Sequence, residues 1–283
     1  MRVRALRVPA VLALAGLLAS SAAGAGDWKF SLRRTLVDRN AIGLPASLQI
    51  TLPEDGANSY AVDLGVSVSH TFLRSALWTF VAGGEVHRNN QALRAQNLTS
   101  GSLALQGQVG EALGKATAWF PQLSLSFRRD GVFGTQSLVP AASLTAAGSP
   151  LRIGRVLGPP NLGILWQPRV GLELQDILRS PDGQSTGHVG RAFGNVAVAV
   201  YPGFQKLGAR LEIVASITGS RDVAKSNAFD TGRDNHVLRT VAVNYFLDTD
   251  KHYALGFSWI NGENPSEGLR EQRYKQIAFK VLY

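Results

Sequence analysis

The chain has 283 residues, of which 45% are hydrophobic and only 17% are charged, and its formal net charge is +9. It contains 30 glycines and no cysteine, so a disulfide scaffold, a thiolate zinc site and a cysteine nucleophile are excluded. The apolar content and the spread of charge along the chain also argue against disorder.

The first 25 residues have the pattern of a cleaved signal peptide. Three arginines precede an apolar stretch over residues 9–18, and residues 23–25 (Ala-Gly-Ala) match an A-x-A cleavage site. The apolar stretch is too short to span a membrane as a helix. We therefore predict two parts, a signal peptide over residues 1–25 and an exported domain over residues 26–283.

The exported part shows the period-2 alternation of β-strands that have two different faces. In one such run Val62, Leu64 and Val66 alternate with small or polar residues. Runs of this kind predict twelve strands, over residues 27–37, 57–70, 76–89, 101–112, 115–129, 135–146, 163–178, 188–201, 206–219, 236–248, 252–261 and 272–283.

The predicted connections are of two kinds. Longer polar segments cover residues 38–56, 90–100, 179–187, 220–235 and 262–271, and short ones cover 71–75, 113–114, 202–205 and 249–251. Segment 147–162 is long where a short turn is expected, and its role, an inward plug or a surface loop, stays open. An even number of strands with short turns on one side and long loops on the other is the layout of a bacterial outer-membrane barrel.

Aromatic residues mark the short-turn side of the predicted strands. They are Trp28, Trp78, Trp119 and Trp166 early in upward strands, and Tyr245, Tyr253 and Tyr283 at the matching ends of the last three. Aromatic girdles of this kind lie at membrane interfaces.

The alternative fold is a soluble β-sandwich, whose strands also alternate. Its water-facing side would be rich in Lys and Glu, whereas the polar face here carries mainly Gly, Ala, Ser and Gln. We therefore predict an all-β fold, a single antiparallel up-and-down transmembrane β-barrel of about twelve strands.

The last predicted strand ends on an aromatic residue. Ile277, Phe279, Val281 and Tyr283 share one of its faces. In this feature the chain resembles the porin-like β-barrel proteins of the Gram-negative outer membrane. The resemblance implies that the protein lies in the cell outer membrane. It also implies that Phe279, Val281 and Tyr283 belong to a signal read by the barrel-assembly machinery.

Face parity selects the side chains that line the predicted lumen. Its charged candidates are Asp63, Arg169, Glu173, Arg191, Arg210, Glu212 and Lys280. Basic groups exceed acidic ones in the lumen-facing set, which predicts a porin-like channel for passive diffusion of small polar or anionic solutes. A second interpretation stays open, in which the two arginines 169 and 210 pair with Glu173 and Glu212 across the lumen and close it.

Basic residues are also frequent on the predicted long-loop side. Among them, Arg128, Arg129, Arg273 and Lys275 are expected to contact phosphates of lipopolysaccharide in the outer-membrane lipid. Secretion, together with the absence of an aromatic and basic binding motif, argues against nucleic acid as a partner.

The sequence carries no recognisable catalytic motif. None of the five histidines has a serine two residues after it, as the outer-membrane phospholipases do, and no G-x-S-x-G elbow occurs. His87, His188 and His236 lie near the long-loop side and would have to converge in three dimensions to form a site. We predict no enzyme, no cofactor and no metal, with a structural or adhesive barrel and an outer-membrane lipid hydrolase as the alternatives.

Overall fold

The computed structural model describes residues 28–33, 46–53, 59–72, 78–90, 96–110, 117–132, 134–148, 158–159, 161–179, 186–203, 210–226, 233–264 and 269–281. Its strands are β1 (Trp28–Arg33), β2 (Ala46–Pro53), β3 (Ser59–Phe72), β4 (Trp78–Asn89), β5 (Gln96–Gln106), β6 (Thr117–Asp130), β7 (Thr135–Gly148), β8 (Leu162–Arg179), β9 (Gly187–Pro202), β10 (Leu211–Lys225), β11 (Asn235–Phe246), β12 (Tyr253–Asn264) and β13 (Leu269–Val281). Within these ranges no helix is long and apolar enough to cross a membrane.

Twelve of these strands, β2 to β13, form a closed antiparallel ring. Each strand pairs with its neighbours in sequence, and β2 closes the ring by pairing with β13, where Ile50 lies opposite Ile277. Closure pairs backbone N–H and C=O groups between strands, as a membrane-spanning sheet requires. The prediction of a single up-and-down barrel of about twelve strands is confirmed.

One position in the ring is filled by two short strands. β1 pairs with the second half of β3, where Arg33 lies opposite Gly65, and β2 pairs with the first half, where Ser47 lies opposite Asp63. Both run in the same direction, and their pairings with β3 cover neighbouring parts of that strand.

The strand β2 corrects the sequence prediction, which placed a polar loop over residues 38–56 and a single first strand over residues 27–37. Its sequence, ASLQITLP, does alternate apolar and polar residues. The run is short, it lies between Pro45 and its own last residue Pro53, and the polar segment 54–58 follows it, which favours a loop over a strand.

The described chain begins and ends at the same end of the ring, which we call the terminal end, and the opposite end is the distal end. Distal connections cover residues 54–58, 90–95, 131–134, 180–186, 226–234 and 265–268; terminal connections cover 73–77, 107–116, 149–161, 203–210 and 247–252. The predicted contrast between short terminal turns and long distal loops is therefore wrong. The strands β5, β10 and β12 continue through residues that were assigned to loops. Most of segment 147–162 lies outside the described residues.

The two faces of the sheet differ in chemistry. On β8, Leu165, Gln167 and Arg169 are buried, whereas Val170 and Leu172, which follow them, are exposed. In a closed barrel the shielded set faces inward and the exposed set faces outward. Exposed apolar side chains continue around the outer face, including Leu103, Leu123, Leu125, Phe127, Ile213, Ile217, Val241, Val243, Leu255, Phe257, Ile277 and Phe279. So large an apolar surface fits lipid rather than water.

Aromatic side chains stand at the terminal end of the outer face. Trp28, Trp119, Tyr245 and Tyr253 are exposed there. The ring of Tyr253 stacks on Phe279 with centroids 6.3 Å apart. The structure thus has an aromatic girdle at its terminal end, and Tyr283 lies outside the described residues.

Candidate functional site

The inner face of the barrel carries polar and charged side chains that are shielded from solvent. The buried ones include Asp63, Glu85, His87, Gln122, Arg169, Glu173, Arg191, Glu212, Asp222, His236, Asn244 and Gln276. A buried charge is costly unless it is paired and hydrogen-bonded, so the contacts of these groups decide what the face can do.

Arg191 on β9 is the centre of what we call the distal cluster. Its Nε donates to Oδ1 of Asp222 on β10 at 2.8 Å. Its Nη1 donates to Oε1 of Glu173 on β8 at 3.0 Å and to Oε1 of Gln175 at 2.9 Å. A guanidinium presents several donors in one plane, which lets a single side chain join three adjacent strands.

His236 on β11 extends the distal cluster. Its Nδ1 lies 3.0 Å from Oε1 of Glu263 on β12, and its Nε2 lies 3.4 Å from Oδ2 of Asp222. Lys225 also reaches Asp222 Oδ2, at 3.2 Å, and contacts Asp234 at 2.7 Å. The hydrogen bond from Lys225 lowers the pKa of the exposed Asp234 carboxyl.

Two β-bulges turn members of the distal cluster inward. The register shifts between Asp222 and Ala224 on β10, and between Gly262 and Asn264 on β12. Strict alternation would have pointed Lys225 and Glu263 outward. Gly262 has a φ of 113°, and a Cβ there would collide with the carbonyl of Val237. A glycine is therefore needed at this bulge, which aims Glu263 at His236.

A second histidine, His87, lies at the distal end on another part of the wall. Its Nδ1 is 2.9 Å from Oδ1 of Asp63 on β3, and its Nε2 is 3.3 Å from Oε2 of Glu85 on β4. His87 is on β4 and His236 is on β11, five strands apart around the ring of twelve. The two histidines therefore stand on different walls of the distal lumen.

Arg169 lies near the middle of β8 on the inner face. Its Nη2 donates to the hydroxyl of Ser143 at 3.1 Å, and its guanidinium lies 5.4 Å above the ring of Phe193. Phe193 packs against Gly171, where a Cβ would have no room. This arrangement holds a cationic group midway between the two ends of the barrel.

The terminal part of the inner face is a second hydrogen-bonded chain. Glu212 accepts from the hydroxyl of Tyr201 at 2.8 Å and from Nδ2 of Asn244 at 2.8 Å. Lys280 donates to Oδ1 of Asn244 at 2.6 Å and crosses β12 over Gly256. The absence of a side chain at Gly256 gives Lys280 its path, because a Cβ there would lie 2.5 Å from Cε of the lysine.

The turn between β11 and β12 lies at the terminal end of the barrel. Lys251, with a φ of 63°, holds its ammonium 4.4 Å from the ring centre of Tyr201 and 4.9 Å from that of Phe246. Burial lowers the pKa of Lys251. The side chain folds back onto these aromatic rings and adds a positive charge beside Glu212.

Asp248 holds the same turn together. Its carboxylate accepts from the backbone N–H of His252 at 3.0 Å and of Tyr253 at 2.9 Å, and it lies 2.9 Å from Nδ1 of His252. These backbone hydrogen bonds lower the pKa of Asp248. Asp248, Asp250 and His252 offer ligand atoms within 4.8 Å of one another, the one group of this kind in the described ranges. The contacts of Asp248 are those of a turn, and we assign it that role.

Comparison with known proteins gives likenesses in structure alone. No protein-family model matches the sequence, and no curated protein matches it. A structure of the NanC porin aligns with a TM-score of 0.46 and 9% identity, over 83% of this chain and 98% of that one. OccK11 of Pseudomonas aeruginosa aligns with a TM-score of 0.38 and 14% identity, over 88% of this chain and 74% of that one.

A third solved structure is the translocator domain of the autotransporter NalP from Neisseria meningitidis, with a TM-score of 0.36 and 11% identity, over 97% of this chain and 94% of that one. The closed strand ring and its apolar outer face identify the fold without these likenesses. The chain is an outer-membrane-type β-barrel.

The barrel places the predicted lumen residues as follows. Asp63, Arg169, Glu173, Arg191 and Glu212 are buried, and Lys280 and Arg210 are half-buried. The charges of Arg169 and Glu173 attract each other, and the pairing of arginines 169 and 210 with the two glutamates across the lumen stays a prediction. Glu173 is bound by Arg191, and Glu212 by Tyr201 and Asn244, all on adjacent strands along the wall.

The predicted lipid contacts separate into two sets in the barrel. Arg129 is exposed on the outer face with Phe127, whereas Arg128 follows the parity of the buried Ser126 and lies on the inner face. Consecutive strand residues face opposite ways, so the two arginines cannot both meet lipid. Arg128 lies opposite the buried Ser100 and faces inward, which corrects its predicted contact with lipopolysaccharide. The side chains of Arg273 and Lys275 are exposed on the outer face.

The barrel does not gather the three rim histidines into one site. His87 contacts Asp63 and Glu85, and His236 contacts Glu263 and Asp222. His188 is exposed, and its backbone N–H donates to the hydroxyl of Ser226. Strict alternation along the strands does not predict that Glu263 and Lys225 lie on the inner face. For Glu263, the one feature of the sequence that could indicate the bulge is the preceding Gly262.

Proposed function

We propose that this barrel is a narrow channel for passive diffusion of small polar or anionic solutes across the outer membrane. The observation that carries the proposal is the chemical difference between the inner and the outer face of the barrel. Polar and charged groups follow the inner wall from Lys280 at the terminal end through Arg169 to Arg191 at the distal end, and the outer wall is apolar. A polar inner wall within an apolar outer one is the arrangement of a solute path through a bilayer.

The preference for anions rests on where the cationic groups stand. Arg169 holds the middle of the path, and Lys251 and Lys280 stand near its terminal end. Fixed charges at a narrow place bias which ions enter. The proposed pore is also lined by Asp63, Glu173, Arg191, Arg210 and Glu212.

A non-conducting structural barrel is the second candidate. Inner side chains such as Arg191 (5% exposed) and Gln276 (4% exposed) are almost fully shielded, as they would be in a barrel filled by its own side chains. Lipid hydrolysis has less support, because both ring nitrogens of His87 and Nδ1 of His236 are hydrogen-bonded to carboxylates rather than to a nucleophile.

We also propose that phosphates of lipopolysaccharide bind on the distal outer face. Arg239, Asn261 and Arg273 lie opposite one another on β11, β12 and β13, and Lys275 lies opposite Trp259 in the next outward row. These exposed cations stand where the apolar band ends, the level of lipid head groups. Arg129 is a separate contact on β6. Sequence reasoning missed Arg239, because the basic row forms only when three strands pair.

The proposal also covers export of the chain and its assembly into the outer membrane. Residues 1–25 direct export as a signal peptide and are then removed, which leaves residues 26–283 as the barrel domain. The face shared by Phe279, Val281 and Tyr283 is presented to the barrel-assembly machinery. The side chain of Phe279 is 43% exposed on the outer face, where another protein can contact it.

Solute uptake into vesicles tests the channel. Purified barrel in lipid vesicles is mixed with small sugars or with small organic acids of similar size, and swelling is followed by light scattering. Uptake that is faster for the acids, and slower in Arg169→Ala than in the outer-face control Arg239→Ala, supports the channel. Vesicles that hold folded barrel and do not swell with any solute support the structural barrel instead.

A further inference from the structure

Acidic side chains gather in the distal half of the inner wall, which we call the acidic half. They are Asp63, Glu85, Asp130, Glu173, Asp222 and Glu263, each on a different strand of the ring. Basic side chains are fewer among the described residues of this half, where the wall holds Arg128, Arg191 and Lys225. Arg179 and Asp234, both exposed at the rim, offset each other. The acidic groups exceed the basic ones even when the rings of His87 and His236 are both protonated.

The contacts of the acidic half leave carboxylates in excess. Arg191 is shared between Glu173 and Asp222, at 3.0 Å and 2.8 Å. The single ring of His87 likewise faces two carboxylate oxygens, at 2.9 Å and 3.3 Å. A cation that two carboxylates share can neutralise only one of them. The acidic half therefore keeps negative charge, which attracts mobile cations into it.

The rest of the inner wall, from the middle to the terminal end, carries charge of the opposite sign, and we call it the basic half. Its cations are Arg169 at mid-barrel and Lys29, Arg210 and Lys280 toward the terminal end. Lys251 adds a positive charge from the turn beside Tyr201. Glu212 is the one acidic group that the described residues place on this part of the wall, and Asp248 and Asp250 belong to the turn beyond it.

We propose that the lumen is a bipolar path that rectifies ionic current, passing more current when the distal side of the membrane is positive than when it is negative. This inference rests on the proposed channel and adds a direction to it. The charge that carries it is fixed in the wall, at the two ends of one lumen, and needs no moving part.

The order of the two halves gives the sign of the effect. When the distal side is positive, cations enter through the acidic half and anions enter through the basic half. Each half attracts the ion that it admits, so both ions accumulate where the halves meet and the current is large. When the voltage is reversed, each ion has to enter through the half that repels it. The meeting point is then depleted of ions, and the current is small.

Current at equal and opposite voltages across a planar bilayer tests the rectification. In potassium chloride at about 0.1 M, where charges act over about 10 Å, we expect the distal-positive current to exceed the reverse current roughly twofold. At about 1 M salt the screening length falls to about 3 Å, and the ratio should approach one.

The direction requires knowledge of which end of the barrel faces each chamber. The chain has no cysteine, so Val132→Cys in the exposed distal turn between β6 and β7 provides a single thiol. A maleimide polymer too large to enter the pore is added to one chamber after the voltages have been compared. A drop in current shows that this chamber faces the distal end.

A charge reversal in the basic half tests the cause. Arg210→Glu places a negative charge in the basic half and should lower the ratio of the two currents. Arg221→Glu is the matched control, because Arg221 lies on β10 with its side chain exposed on the outer face. This variant should keep the ratio of the unchanged protein.

The outcomes separate the rectification from the channel. Equal currents at about 0.1 M salt, or a larger current with the distal side negative, would overturn the bipolar path and leave the channel standing. A ratio that stays the same at high salt, or an equal change in both variants, would also overturn it, because fixed charge in the lumen would not be its cause. Absence of current at every voltage would overturn both proposals.

Discussion

Nε of Arg191 donates to Oδ1 of Asp222 at 2.8 Å, and both side chains are buried on the inner wall of the barrel. The same guanidinium binds Glu173, so one residue neutralises carboxylates on both neighbouring strands. Three strands of the ring are joined through it at the distal end.

Removal of Arg191 is expected to destabilise the barrel. Arg191→Met leaves two buried carboxylates without their main partner and should lower the free energy of unfolding by about 3 kcal/mol. Adding Asp222→Asn should recover part of the loss, because it removes one of the unpaired charges. Urea unfolding in lipid vesicles measures both. Equal stability of Arg191→Met and the outer-face control Arg221→Met would contradict the role of Arg191.

Gly262 provides a test of the bulge that aims Glu263 inward. Gly262→Ala forces a side chain into positive φ and into the Val237 carbonyl, so we expect a loss of about 1–3 kcal/mol in unfolding free energy. Gly219→Ala on β10 is the control, because a Cβ there meets nothing within 4 Å. Matching unfolding curves for the two variants would show that the bulge does not need its glycine.

The turn held by Asp248 predicts an acid-dependent loss of stability. Because the pKa of this carboxyl is lowered in the folded protein, its contribution is present above the ordinary Asp pKa of about 3.9 and is lost as the pH falls through the folded value. Asp248→Ala should therefore unfold at a lower temperature than the unchanged protein at neutral pH, with the gap closing in strong acid.

Thermal unfolding midpoints across the acid range give the comparison for Asp248. Asp250→Ala serves as the control, because Asp250 is exposed in the same turn. A gap between Asp248→Ala and the unchanged protein that stays constant with pH would mean that the carboxylate charge plays no part.

A substitution at Phe279 distinguishes assembly of the barrel in the cell from its folding into lipid on its own. Its ring stacks on Tyr253 at the terminal end of the outer face. Phe279→Ala should refold into lipid vesicles nearly as well as Phe257→Ala, a change on the same face, but should accumulate less in the outer membrane of cells. Equal amounts of the two variants in that membrane would contradict an assembly signal at Phe279.

The sequence predicts the ring well wherever a strand alternates without interruption. On β8, the inward placement of Arg169 and Glu173 follows from counting by two, because the period of a strand leaves no other choice of face. An open sheet edge would leave unpaired backbone groups in lipid, so the alternating strands must close into one barrel.

Counting by two fails at the bulges. Lys225 and Glu263 face inward because one extra residue shifts the parity of β10 and β12. Arg128 was assigned to the lipid from its level in the barrel without regard to its face. The contacts between strands, such as those of Arg191, depend on register, which one sequence does not specify.

Single-channel current across a planar bilayer tests the central claim most directly. The purified barrel is added to one side of the membrane in potassium chloride, and current is recorded at fixed voltage. A continuous polar path predicts discrete and uniform current steps, with a smaller anion preference in Arg169→Ala. Barrel that inserts in folded form and gives no steps above the bare membrane would contradict the channel.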